Sequence, residues 1–325
     1  MAKKVLENIN TGCTWTSYIA AVDGVLRHMG WWRQDTPILM GQTGIGFHFI
    51  IHQNVCPSGP TVYDWINVHL QALDRLGIHT DVYQAFNDGK LDTFPQIRNT
   101  AVQKIKESID RGIAVVIWTP TPILEFGIIY GYNDADEVFF VKDYGGADPD
   151  PLRYCNLGQS EVPILFYQIF LDQVAYDPEK SYRSSLEYGV GEWTKESHIN
   201  PAYATGRKGY DNLIRSLEQG DFNEFGLAYN LAVYHDAKQK LANYLEYLST
   251  ASQKLPSPNL KQAAGLFQQV AAKYARMVEL VPFSGANGVG GRVDRQIIPE
   301  ILQLTKEAKQ LEESAMHVIE ETIKK

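Results

Sequence analysis

Cysteine is scarce in this chain of 325 residues, with only Cys13, Cys56 and Cys155 present. They form no Cys-x-x-Cys pair. An odd number of widely spaced cysteines fits a reducing cytoplasm better than a disulfide framework. Positive charge is also in short supply. Against 38 Asp and Glu stand 30 Lys and Arg, a net charge of −8. That balance argues against broad nucleic-acid binding, which needs a basic surface. No apolar run approaches the length of a membrane span. Two lysines open the chain in MAKKVLENIN, but no apolar stretch follows them, so no signal peptide is expected. Internal repeats are absent as well.

What is present reads as an ordinary globular composition, 44% apolar and 21% charged, in a chain long enough for two domains. Residues 14–29 predict a helix with Trp15, Ile19, Val22, Leu26 and Met29 on one stripe. GFHFIIHQ (46–53) is β-rich. Residues 61–77 and 97–112 predict amphipathic helices closed by Gly77 and Gly112. Strand candidates follow at 113–118, 125–132 and 137–143, and NDAD joins the last two with hairpin-turn chemistry. Residues 164–174 add a further strand. Helices followed by an antiparallel meander indicate an α+β domain over 1–176. Residues 177–205, punctuated by Pro178 and Pro201, read as a connecting region. From 206 to 325, apolar residues recur at three- and four-residue steps, as in Leu227, Leu231, Tyr234, Leu241, Leu245 and Leu248, with Lys238 the one break. Three such seams and a shorter helix near 207–219 predict a four-helix bundle.

Cys13 precedes the first long helix. A helix N-terminus favours the thiolate, the reactive form of cysteine. Asn8 and Asn10 lie just upstream, where a side-chain amide can donate to an oxyanion. The competing reading makes Cys13 a small apolar residue that starts a buried helix. His48, His52 and Cys56 in FHFIIHQNVC match no zinc signature. SGANGVGG lacks a P-loop lysine and reads as an interhelical loop. The carboxylates of DADE (134–137) and DYGGADPD (143–150) lack EF-hand spacing and read as solvated turns. His235 and Asp236 fit a polar helix face, and no Glu-x-x-His pair suggests a di-iron site. No metal or cofactor is expected.

GCTWTSYIAAVDGVLRHMG, GIGFHFII, LDRLGIHTDVY, IKESIDRGIAVVIWT and EFGIIYGYNDADEVFFVKDYGG, in that order over residues 8–145, resemble the papain-like cysteine proteins. Within them the chain looks most like the bacteriocin (double-glycine) leader peptidases and the N-terminal domain of the butirosin biosynthesis acyltransferase. The resemblance implies a nucleophile at Cys13, a histidine opening the strand before the Gly-Tyr turn, and an Asp or Asn ending the next strand to orient it. Asp143 matches the last of these, but Glu125 occupies the histidine position. Histidine serves a thiol because its pKa lies near neutrality and its imidazolium stabilises the thiolate. An anionic glutamate opposes thiolate formation, although a buried glutamate can still carry protons. His48 is a candidate displaced proton partner. The implied activity is acyl transfer to a small amine, or cleavage of an amide or peptide, on a small-molecule or peptide substrate. The alternative is a catalytically inactive papain-fold binding protein, with the bundle as recognition surface or homo-oligomer contact.

Overall fold

The computed structural model describes residues 2–143, 149–283 and 293–324. Most of the carboxylate run 143–150 and all of the glycine-rich stretch 284–291 lie outside them. Among the described residues there are nine strands and nine α-helices. The strands are β1 (Lys3–Val5), β2 (Ile50–His52), β3 (Ile78–Phe86), β4 (Val115–Trp118), β5 (Phe126–Asn133), β6 (Val138–Lys142), β7 (Leu152–Arg153), β8 (Ile164–Gln173) and β9 (Tyr203–Thr205). The helices are α1 (Ser17–His28), α2 (Thr36–Gln42), α3 (Trp65–Asp74), α4 (Phe94–Asp110), α5 (Pro178–Thr194), α6 (Arg207–Gln219), α7 (Glu224–Ala251), α8 (Ser257–Leu280) and α9 (Ile298–Ile323). The class is α+β, and no described helix is long and apolar enough to cross a membrane.

The chain divides into two compact units. The first comprises Met1–Thr36 and Trp65–Ala175, the second Pro37–Asp64 and Tyr176–Lys325. Residues 37–64, which the sequence assigns to the first domain, thus group with the helical part of the chain. The cause is local pairing. β2 pairs antiparallel with β9, and the hydroxyl of Tyr234 on α7 both donates to Ile50 C=O (2.7 Å) and accepts from Ile50 N–H (2.9 Å).

In the first unit a seven-stranded sheet runs β3-β8-β4-β5-β6-β7, with β1 added to β5, and its pairs are antiparallel. All four residues of β4 are buried, as befits a continuous apolar run in a sheet interior. Helix α1 packs on β4 and β5. It starts at Ser17 rather than 14, because Cys13, Thr14 and Trp15 form bends and Thr16 is extended (φ −80°, ψ 94°). Beyond Met29 the chain turns through Gly30 at φ 69°, a left-handed conformation that glycine adopts without a Cβ penalty. Strand β3 carries only weak alternation, so sequence reading leaves 78–86 unassigned; its pairing with β8 along its whole length makes it a strand.

In the second unit α7 packs on α8, α8 on α9, and α5 and α6 on α9. The supposed connecting region contains α5, which opens with Pro178 and is capped by Asp177 accepting from Glu179 N–H at 2.9 Å. The β-rich 46–53 stretch reduces to a 3₁₀ turn at Ile45–Phe47 and the three residues of β2. Lys238 is fully buried. Its ammonium meets Glu312 at 2.5 Å and lies over the Phe49 and Phe267 rings, 5.0 and 5.9 Å from their centroids. The other Glu312 oxygen accepts from Tyr210 O–H at 2.8 Å. A charge can occupy the apolar seam because a partner of opposite charge faces it across the helices.

Candidate functional site

The site is built on the β5–β6 hairpin. Its turn spans 134–137, where Asn133 Oδ1 accepts from Ala135 N–H at 3.0 Å. Asp134 is held there by Lys106 (2.7 Å) and by Tyr154 O–H (3.0 Å). Antiparallel pairing brings the residue before β5, Glu125, and the residue after β6, Asp143, to the same end of the hairpin. The strands approach closely there. A Cβ on Gly127 would lie 2.4 Å from Lys142 O, closer than side-chain carbons tolerate.

The first turn of α1 meets this end of the hairpin. Ser17, the first helical residue, is 4% exposed. Its Oγ accepts from Phe126 N–H at 3.1 Å and donates to Glu125 Oε2 in a short hydrogen bond. The hydroxyl hydrogen is directed at the carboxylate because the N–H of Phe126 can only donate to Oγ. Glu125 is half-buried, and its carbonyl accepts from Thr119 N–H at 2.8 Å. Earlier in the same loop, Thr121 Oγ1 donates to Asp143 Oδ2 at 2.8 Å. Asp143 is buried, and its carbonyl accepts from Thr11 Oγ1 at 3.5 Å. The loop 119–125 is therefore tied to the Asp143 carboxylate and closed by the Thr119 N–H bond to the Glu125 carbonyl. Thr16 supplies no side-chain cap to α1. The backbone N–H groups of its first turn have no partner within the helix and favour negative charge nearby. Below them Tyr18 O–H donates to Gln168 Oε1 (2.9 Å), and its ring stacks on His69 at 3.5 Å.

The other sequence candidates lie as follows. Cys13 is exposed in the bend ahead of α1, so it is neither at the helix start nor a buried apolar residue. No hydrogen bond to its thiol is present among the described residues. Its segment is held close to the helix: Gly12 N–H donates to Ala20 O at 2.8 Å, and Asn10 O packs onto Gly24, where a Cβ would come within 2.1 Å. Asn8 is exposed at φ 58°. Asn10 is exposed, and its Oδ1 accepts from Lys142 Nζ at 3.3 Å. His48 belongs to the second unit, where Nε2 meets Tyr188 O–H at 2.5 Å and the ring lies edge-on to Tyr63 at 4.7 Å. It lies outside β2, so it does not share a strand face with His52, which packs on Tyr203 at 4.8 Å. Burial lowers the His52 pKa. Cys56 Sγ meets Ser58 Oγ at 3.1 Å. Among the described residues no three His, Cys, Asp or Glu side chains gather as metal ligands.

Glu125 and Asp143 thus come to one end of the hairpin, and the side chain bonded to Glu125 is Ser17. Sequence reasoning passed over this serine because a cysteine four residues earlier drew the assignment. A hydroxyl in a Thr- and Ser-rich stretch carries no mark of its own. The usable signal was positional: Ser17 stands at the head of the apolar run of α1, and the expected start at 14 concealed it.

No family model matches the chain, and no curated protein matches it.

Proposed function

We propose that the first unit is a papain-like fold and that it transfers or hydrolyses an acyl or amide group on a small molecule or peptide. The second unit, on this reading, is a four-helix bundle with additional elements. The observation that carries the proposal is the hydrogen bond between Ser17 Oγ and the Glu125 carboxylate. It places a hydroxyl, a proton acceptor and the amide-rich end of α1 together, and these are the parts acyl chemistry requires. Asp143 and Thr121 hold the loop that carries Glu125. Glutamate in the histidine position is compatible with this chemistry, because a partly buried carboxylate can take and return a proton.

A second reading, a binding protein without turnover, is favoured by one observation. Ser17 is 4% exposed and bonded on both sides, which is also how a purely structural serine would sit. The full chain incubated with p-nitrophenyl acetate, an acyl thioester of N-acetylcysteamine and a peptide p-nitroanilide separates the two. Turnover of at least one substrate above the uncatalysed rate supports acyl processing. No turnover of any of them by correctly folded protein refutes it and leaves the binding reading.

A further inference from the structure

We infer that Ser17, not Cys13, is the nucleophile of this site, with Glu125 as its general base; the inference rests on the acyl-processing reading. A nucleophile needs a base within hydrogen-bond reach. Ser17 Oγ has one in Glu125 Oε2, whereas no hydrogen bond reaches the exposed Cys13 thiol among the described residues. The proton is already directed. Phe126 N–H occupies one lone pair of Oγ at 3.1 Å, so the hydroxyl hydrogen points at the carboxylate. The same N–H stabilises negative charge on Oγ as its proton leaves. The amides of the first turn of α1 supply donors for an oxyanion formed at that end of the helix.

The acyl donor is an ester or thioester. Oγ attacks the carbonyl carbon and Glu125 takes the hydroxyl proton. When the tetrahedral intermediate collapses, the bond to the leaving oxygen or sulfur breaks, and Glu125 returns the proton to it. The acyl group is then an ester on Ser17. A water or amine next attacks this ester, Glu125 accepts its proton, and Oγ departs as the hydroxyl. Thr121 and Asp143 are positioning residues in this scheme, since they act through the loop.

The test compares the full-length protein with Cys13→Ala, Ser17→Ala and the double variant Cys13→Ala/Ser17→Cys. Each is mixed with p-nitrophenyl acetate, acid-quenched and mapped by fragment-ion mass spectrometry. Acetyl is expected on Ser17. Cys13→Ala should retain turnover within about twofold, and Ser17→Ala should lose on the order of 10²-fold or more. Ser17→Ala also removes two hydrogen bonds, so the double variant serves as a check that preserves the shape. Its introduced thiol should carry acetyl after the same quench, Glu125 taking the thiol proton during the attack. Acetyl on Cys13 with turnover lost in Cys13→Ala would overturn the inference and leave the acyl-processing reading standing. So would turnover with no acetyl on residue 17 in either the parent or the double variant. Neither turnover nor an adduct in any folded form would remove both.

Discussion

Replacing Lys238 by Met should be among the most damaging single changes in the second unit. The ammonium is fully buried, 2.5 Å from Glu312 Oε1 and flanked by the Phe49 and Phe267 rings. Removing it leaves the Glu312 carboxylate buried with Tyr210 O–H at 2.8 Å as the remaining described donor. Breaking a buried pair in this way costs about 3–5 kcal/mol. Removing both charges in Lys238→Met/Glu312→Leu takes away the desolvation penalty together with the attraction. Tyr210 then loses its acceptor, a loss of about 1–3 kcal/mol. Adding Tyr210→Phe should restore stability to within about 1 kcal/mol of the parent, because buried ion pairs replaced by packed apolar residues are often neutral or better. Urea unfolding followed by circular dichroism at 222 nm, where α7, α8 and α9 dominate the signal, measures each variant. A single variant as stable as the parent, or a triple variant as damaged as the sum of its parts, would refute the reasoning.

Three further outcomes follow from the packing and charge of the two units. Gly24→Ala places a methyl 2.1 Å from the Asn10 carbonyl oxygen and should destabilise the first unit by about 1–3 kcal/mol, read as a lower thermal midpoint. Asp23 is 1% exposed; burial raises its pKa, with Thr36 and Arg27 opposing the shift. Its native state holds the proton more tightly than the unfolded chain, so stability falls as pH rises from about 3.9 through the raised value. Asp23→Asn should therefore gain on the parent between pH 3.5 and pH 7 in urea midpoint, and an unchanged difference would contradict the shift. Gly41→Ala drives a methyl to 2.0 Å from the Tyr244 ring and should lower the thermal midpoint of the second unit, by overpacking of about 1–3 kcal/mol.

The legible parts of the fold are those written in local pattern. β4, β5, β6 and β8 are apolar runs bounded by turn residues, and α7, α8 and α9 are sustained seams. The exchange of residues 37–64 into the second unit was not legible, because it depends on three residues of β2 finding β9 and on a tyrosine hydroxyl bonding Ile50 across 184 positions. β3 was missed for the same reason, since its partner β8 supplies what its own alternation lacks. In the site, Glu125 and Asp143 were singled out by the hairpin turn together with the family resemblance. Ser17 was not, because its significance comes from a hydrogen bond to a residue 108 positions away. Lys238 stood out in the sequence as a break in a seam, but its partner Glu312 sits on another helix and carried no matching signal.

In the proposed chemistry Glu125 is the proton carrier for the hydroxyl beside it. The most direct test is the hydrolysis rate of p-nitrophenyl acetate by the full chain and by Glu125→Gln, measured at pH 7 on protein with matching circular dichroism. Glutamine preserves the shape and can still accept from Ser17 O–H, but it is far too weak a base to take the proton. The expected result is a loss of about 10²-fold or more. A Glu125→Gln rate within twofold of the parent would contradict it.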